Sequence, residues 1–146
     1  MRVTREQLIA WGERFGASAR SPLVVAVSGP IGSGKTALIQ AICRGYGVTE
    51  PVTSPTFTLV HEYHAGPPDA PARVHHLDLY RLDADTADGP RPDALAPLGW
   101  DEIVHGDSLV LVEWPERAGS RLPERHAAIT LGPVPGNPDL RELLSE

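Results

Sequence analysis

The stretch Gly29-Pro30-Ile31-Gly32-Ser33-Gly34-Lys35-Thr36 fits the pattern G-x-x-x-x-G-K-[ST], and it narrows the folds open to this chain more than any other feature. Such a loop works only between a strand and a helix. Residues 23–27 are an unbroken, β-branched-rich apolar run, which predicts a strand buried on both faces. The residues after Thr36 include good helix formers. Glycines at 32 and 34 let successive N–H groups turn inward around an anion, and the helix N-terminus adds its dipole. In that setting Lys35 reaches the β- and γ-phosphates of a nucleotide, and the Thr36 hydroxyl ligates Mg²⁺. Gly32, Ser33, Gly34, Lys35, Thr36 and Ala37 are the nucleotide-binding candidates. The plain alternative is a glycine-rich turn before a helix.

The 146 residues fit a single domain spanning 1–146, with room for a sizeable core but not for a second full domain. Net charge is −6 and the Lys and Arg residues are scattered, so the chain lacks the basic stripe that binds phosphate backbones. Direct, tight binding of RNA or DNA is not expected. The single cysteine, Cys43, excludes an internal disulfide and reads as a small packing residue rather than a nucleophile. No apolar run approaches the length of a membrane span, and the N-terminus lacks a signal-peptide core, so the cytoplasm is the expected compartment.

Thr4-Arg5-Glu6-Gln7 has the form of a capping box, followed at helical spacing by Leu8, Trp11 and Phe15, with Gly16 as the expected stop. The aromatic stripe reads as core packing. The helix after the loop is expected to end near Arg44 and Gly45. Pro55 disfavours a helical Ser54, so residues 46–55 are expected to be irregular. Residues 57–63 and 73–80 predict two strands of a hairpin around the turn-rich residues 65–69. Alternation then places Val74, His76, Asp78 and Tyr80 on one face. Residues 83–97, rich in Ala, Asp and Pro, read as a mobile excursion. A short helix is expected over 98–104, a buried strand over 109–112 and a last strand over 127–131. Asn137 and Pro138 predict a C-terminal helix.

Phosphate-loop enzymes need an acid at the carboxyl end of a neighbouring buried strand to hold the magnesium shell, and Glu113 has that place. The alternative is a solvated acid ending a strand. Asp78 is the second acid of interest, since an unpaired carboxylate within an apolar strand is costly. It is expected to orient water, contact Mg²⁺ or form an ion pair with Arg81. Lys35, Asp78 and Glu113 are thus the catalytic candidates, with Thr36 and Glu113 on the metal side. The six histidines do not predict a metal centre: there is no Cys cluster or H-E-x-x-H, and adjacent residues such as His75 and His76 point to opposite faces.

After the phosphate loop come Thr53-Ser54-Pro55-Thr56-Phe57-Thr58-Leu59-Val60, then His76-Leu77-Asp78-Leu79-Tyr80-Arg81-Leu82, Leu98-Gly99 and Val112-Glu113-Trp114-Pro115-Glu116. In this order the motifs resemble the TsaE family of bacterial ATPases, which serve biosynthesis of threonylcarbamoyladenosine in tRNA. The resemblance covers most of the chain. It implies an α/β P-loop NTPase fold with a mainly parallel central sheet and flanking antiparallel strands. It also implies ATP and Mg as ligands, TsaD and TsaB as partner proteins, and tRNA only as an indirect partner. Carried over by position, Asp78 would sit by the reactive end of the nucleotide. Ser54 and Thr56 would belong to a γ-phosphate-sensing switch that couples to partners, and Trp114 would report or support the site. Thr4 is the one candidate for a base or ribose contact. Slow hydrolysis by the isolated chain, accelerated by partners, is the expected behaviour. Two other readings remain open at this stage: a small-molecule or nucleoside kinase, and a nucleotide-gated assembly factor whose hydrolysis is incidental.

Overall fold

A computed structural model describes residues 1–53, 59–67, 72–82 and 95–146. The described strands form one seven-stranded sheet in the order β1-β7-β6-β2-β5-β4-β3. Its centre is four parallel strands: β6 (Ala127–Pro133), β2 (Leu23–Ser28), β5 (Leu109–Glu113) and β4 (Ala72–Asp78). Antiparallel strands flank them on both sides. β3 (Val60–Ala65) pairs with β4, while β7 (Arg141–Ser145) pairs with β6 and β1 (Arg2–Val3) with β7. This is the α/β architecture that the resemblance implies, with a mainly parallel centre and antiparallel edges.

Central strands are buried on both faces because a layer covers each one. On one side lie α1 (Arg5–Ser18) and α2 (Lys35–Tyr46), and the core there joins Val25, Val27, Leu109, Leu111 and Ile129 to Leu8, Leu38, Ile39 and Ile42. On the other side Val24, Leu77, Val110 and Val112 pack with Leu95, Trp100, Val104 and Ala118, carried by the short helix Trp100–Val104 and flanking turns. Trp100 is fully inside, and its indole N–H donates to the Arg121 carbonyl at 3.1 Å. Cys43 is buried among apolar side chains, and burial pushes its thiol up to about 12, as suits a packing residue.

The Thr4 capping box forms as the residues predict, with Thr4 accepting from the Gln7 amide and Gln7 from the Thr4 amide. Gly16, however, does not stop the helix. It lies where α1 crosses α2, and a β-carbon there would sit 2.1 Å from the Ile42 carbonyl oxygen. Gly45 makes the reciprocal contact, its β-carbon position being 2.0 Å from the Glu13 carbonyl oxygen, so α2 runs past it to Tyr46. Both glycines permit close helix packing. Trp11 and Phe15 stack with centroids 5.3 Å apart, partly buried against the core.

Three other expectations are corrected, and one strand is added. The C-terminal helix is instead the strand β7, because Leu143 is buried opposite Leu131 and pairing with β6 outweighs the local capping signal. β1 has no counterpart among the predicted elements, since its two residues are a strand only through their pairing with β7. Within the acidic 83–97 stretch, of which only 95–97 are described, Leu95 is a core residue at 2 % exposure. The hairpin strands are shifted, with Leu59 in a left-handed conformation before β3 and Tyr80 in a turn after β4.

Candidate functional site

Parallel strands place their carboxyl ends along one edge of the sheet, where α/β proteins form their ligand crevices. Here that edge carries the glycine-rich loop after β2, Asp78 at the end of β4 and Glu113 at the end of β5. Glu113 stands in register with Val27 on one side and Asp78 on the other, so both acids share the α2 face. An open cavity of about 400 Å³ lies above them. Gly32, Gly34, Lys35, Thr36, Ala37, Asp78, Glu113 and Trp114 all line it. The candidates drawn from three distant parts of the sequence therefore converge.

The loop has the shape an anion cradle requires. Gly32 and Gly34 have φ of 82° and 104°, left-handed values costly for any residue with a β-carbon. Gly34 is the cap from which α2 begins, so the first amides of that helix open toward the cavity. Thr36 is exposed there. Lys35 is 6 % exposed, its ammonium donating to the carbonyls of Gly29 and, at 2.9 Å, Pro30, and lying 4.5 Å from the centre of the Trp114 ring. Ser33 faces a neighbouring cavity that it shares with Arg141, and its hydroxyl is buried with no hydrogen-bond partner. Such an orphaned hydroxyl beside a cradle fits an oxygen-rich ligand.

The family model for the threonylcarbamoyl adenosine biosynthesis protein TsaE matches residues 3–136. The chain belongs to the TsaE family. It is 39% identical over 127 residues to the tRNA threonylcarbamoyladenosine biosynthesis protein TsaE of Mycobacterium bovis, covering 86% of this chain and 73% of that one. Against the protein of the same description from Treponema pallidum the identity is 35% over 121 residues, 83% of this chain and 81% of the other. The crystal structure of Bacillus subtilis YdiB superposes with a TM-score of 0.75 at 28% identity, over 98% of this chain and 80% of that one.

In this TsaE-family member the two acids are held differently. Asp78 caps its own turn, Oδ1 accepting from the Tyr80 amide at 3.0 Å, while its backbone N–H donates to Leu59. Glu113 is only 3 % exposed, and its Oε2 lies 2.7 Å from Nε2 of the fully buried His76. The solvated-acid alternative for Glu113 does not describe this position. Burial pulls the Lys35 ammonium below the usual lysine range, and the charges of Glu113, Asp78 and Glu116 oppose that pull. Trp114 takes a left-handed conformation with φ 57°, which sets its ring between Lys35 and Tyr80, 5.1 Å from the latter.

Three site residues escaped the sequence reading. Arg5 and Tyr80 line the cavity, and His76 supports Glu113. His76 and Tyr80 had a legible signal, the alternation that puts both on the face of Asp78; Arg5 had none. Thr4 is absent from the cavity lining, its hydroxyl being committed to the cap of α1. Ser54 and Thr56 lie outside the described residues. Among the described residues no group of three or more His, Cys, Asp or Glu could hold a metal ion, so a divalent ion here would draw ligands from phosphate and water as well. The Thr36 hydroxyl and the two carboxylates are oxygen donors of that kind, while the Lys35 ammonium and the backbone cradle beside them suit an anion.

Proposed function

We propose that the chain is the ATP-binding, Mg-dependent ATPase component of the machinery that makes threonylcarbamoyladenosine in tRNA, acting with TsaD and TsaB. The observation that carries this is the convergence of Lys35, Thr36, Asp78 and Glu113 on one cavity at the carboxyl edge of the sheet. Magnesium would offset the charge of the β- and γ-phosphates. The amides of residues 32–37 would bind their oxygens, with Thr36 and Glu113 on the metal side. Lys35 would exchange the Gly29 and Pro30 carbonyls for the terminal phosphates, where a cation stabilises the charge that builds on the transferred group. Asp78, fixed by the Tyr80 amide, would orient the attacking water.

The cavity is open, and among the described residues Arg5 and Lys35 are the cationic ones that line it. An incomplete site of this kind predicts slow hydrolysis alone, and partners that supply a cation in trans accelerate related enzymes by roughly 10³–10⁵. With a net charge of −6, contact with tRNA would pass through the partner proteins. No helix among the described residues is long and apolar enough to cross a membrane, and the cytoplasm is the compartment this role requires.

The test is steady-state phosphate release by the chain alone, with TsaD and TsaB of its own organism, and with a panel of small phosphate acceptors. Slow release that rises on adding the partners is expected. Fast turnover indifferent to partners defeats the reading, and phosphate found on an acceptor replaces it with a kinase.

A further inference from the structure

We propose that His76 is the positioning residue for Glu113: its Nε2–H holds one carboxylate oxygen so that the other is presented to the phosphate cavity. The inference rests on the ATPase reading above. His76 lies on β4 opposite Leu111, and Glu113 is two residues further along β5 on the same face, the diagonal at which side chains of neighbouring strands meet. The contact is 2.7 Å long, with His76 at 0 % and Glu113 at 3 % exposure. His76 Nδ1 is buried with no partner, which assigns the ring proton to Nε2. A proton on Nδ1 would leave a buried N–H unpaired and set the Nε2 lone pair against a carboxylate oxygen.

Val74 and Leu111 around it are fully buried, so an aliphatic side chain would suit this position for packing alone. What an aliphatic residue cannot supply is a donor to the carboxylate. A glutamate has several rotamers and loses its metal-side geometry when free to sample them. With Oε2 tied back to β4, Glu113 is confined to one arrangement in the wall of the cavity it shares with Lys35 and Thr36. Outer partners of this kind set ligand orientation at metal sites.

The test compares His76→Leu, which removes the donor, with His76→Gln, whose amide places an N–H near the Nε2 position. Magnesium is titrated against protein holding a non-hydrolysable ATP analogue, with Trp114 emission as readout, beside melting temperature and turnover. His76→Leu should raise the magnesium half-saturation on the order of 10-fold or more, and His76→Gln should stay within about three-fold of wild type. Binding of ADP without metal should be unchanged in both. In the ¹⁵N-labelled chain free of nucleotide and metal, the His76 ring should carry its proton on Nε2 and shift on Glu113→Gln. A His76→Leu protein that melts lower yet keeps the wild-type magnesium half-saturation overturns the proposal in favour of a packing role, as does a proton on Nδ1. If wild-type protein shows no magnesium-dependent signal at all, the ATPase reading falls and takes this role with it.

Discussion

The two faces of the central sheet are built from alternate residues of the same strands, yet they do different work. The face under the turns and the Trp100–Val104 helix is apolar along the carboxyl half of β5, with Val110 and Val112 packed on Leu77 and Trp100. On the α2 face the same strands carry Leu109 and Leu111 and then Glu113, beside Val74, His76 and Asp78. On the first face the polar pair His75 and Ser108 sits at the opposite end of the strands from the cavity. Among the described residues the buried charged groups Lys35 and Glu113, with His76, lie on the α2 side toward the carboxyl ends. Confining them there leaves one face free to stabilise the sheet while the other accepts the cost of buried charge.

The largest effect should come from Lys35→Ala, which removes the cavity's buried cation. Hydrolysis should fall on the order of 10²–10³ or more with little change in melting temperature, since the two carbonyls the ammonium leaves are only part-buried, beside an open cavity whose water can reach them. Phosphate release measures it, and wild-type turnover in the variant would sink the role given to Lys35.

Glu113→Gln and Trp100→Ala should separate the two faces. The amide of a glutamine can still accept from His76, so Glu113→Gln should keep the fold while losing magnesium-dependent hydrolysis by about two orders of magnitude. Trp100→Ala should do the reverse, costing about 3–5 kcal/mol of stability in urea unfolding with turnover per folded molecule near wild type. Equal loss of stability in both variants would erase the distinction between the faces.

A smaller, optical effect concerns Trp114. It alone of the three tryptophans lines the cavity, while Trp11 stacks on Phe15 and Trp100 is enclosed in the opposite core. Nucleotide with Mg²⁺ should displace Lys35 from the indole and change its emission, and Trp114→Phe should remove most of that change. A signal that survives in Trp114→Phe would place the ligand elsewhere.

How much of this was legible follows from how local each signal is. The glycine-rich loop, the buried runs of β2 and β5 and the Thr4 box are determined within a few residues, and all of them appear as expected. Gly16, Leu95 and β7 were misjudged because what decides them is distant: the Ile42 carbonyl, the Trp100 cluster and the Leu131 partner. The site follows the same division. Asp78 and Glu113 announce themselves as acids in apolar runs. The contact between His76 and Glu113 spans 37 residues and needs the parallel register of β4 on β5, which no spacing in the chain encodes.

His75 is the exception that sharpens the contrast, a titratable group on the otherwise apolar face. It sits at the far end of that face from the cavity, in register with Val110, with Nδ1 2.8 Å from the Ser108 hydroxyl and Nε2 3.5 Å from Glu62. Burial holds its imidazole below the ordinary histidine value; Glu62 and Asp107 oppose the shift, and Arg73 and His64 add to it. As the folded value lies under the unfolded one, the unfolded chain takes up the proton first when pH falls. The stability contribution is therefore full above the unfolded pKa and is lost as pH drops through the folded one. Melting temperature followed from about pH 8 to about pH 5 should decline more steeply in wild type than in His75→Asn, whose amide can keep the Ser108 contact without titrating. Nucleotide binding at neutral pH should be the same in both proteins, because this group supports the sheet and does not face the cavity. Parallel melting curves would show that the apolar face tolerates a charged imidazole, and the division of labour between the two faces would lose its clearest electrostatic sign.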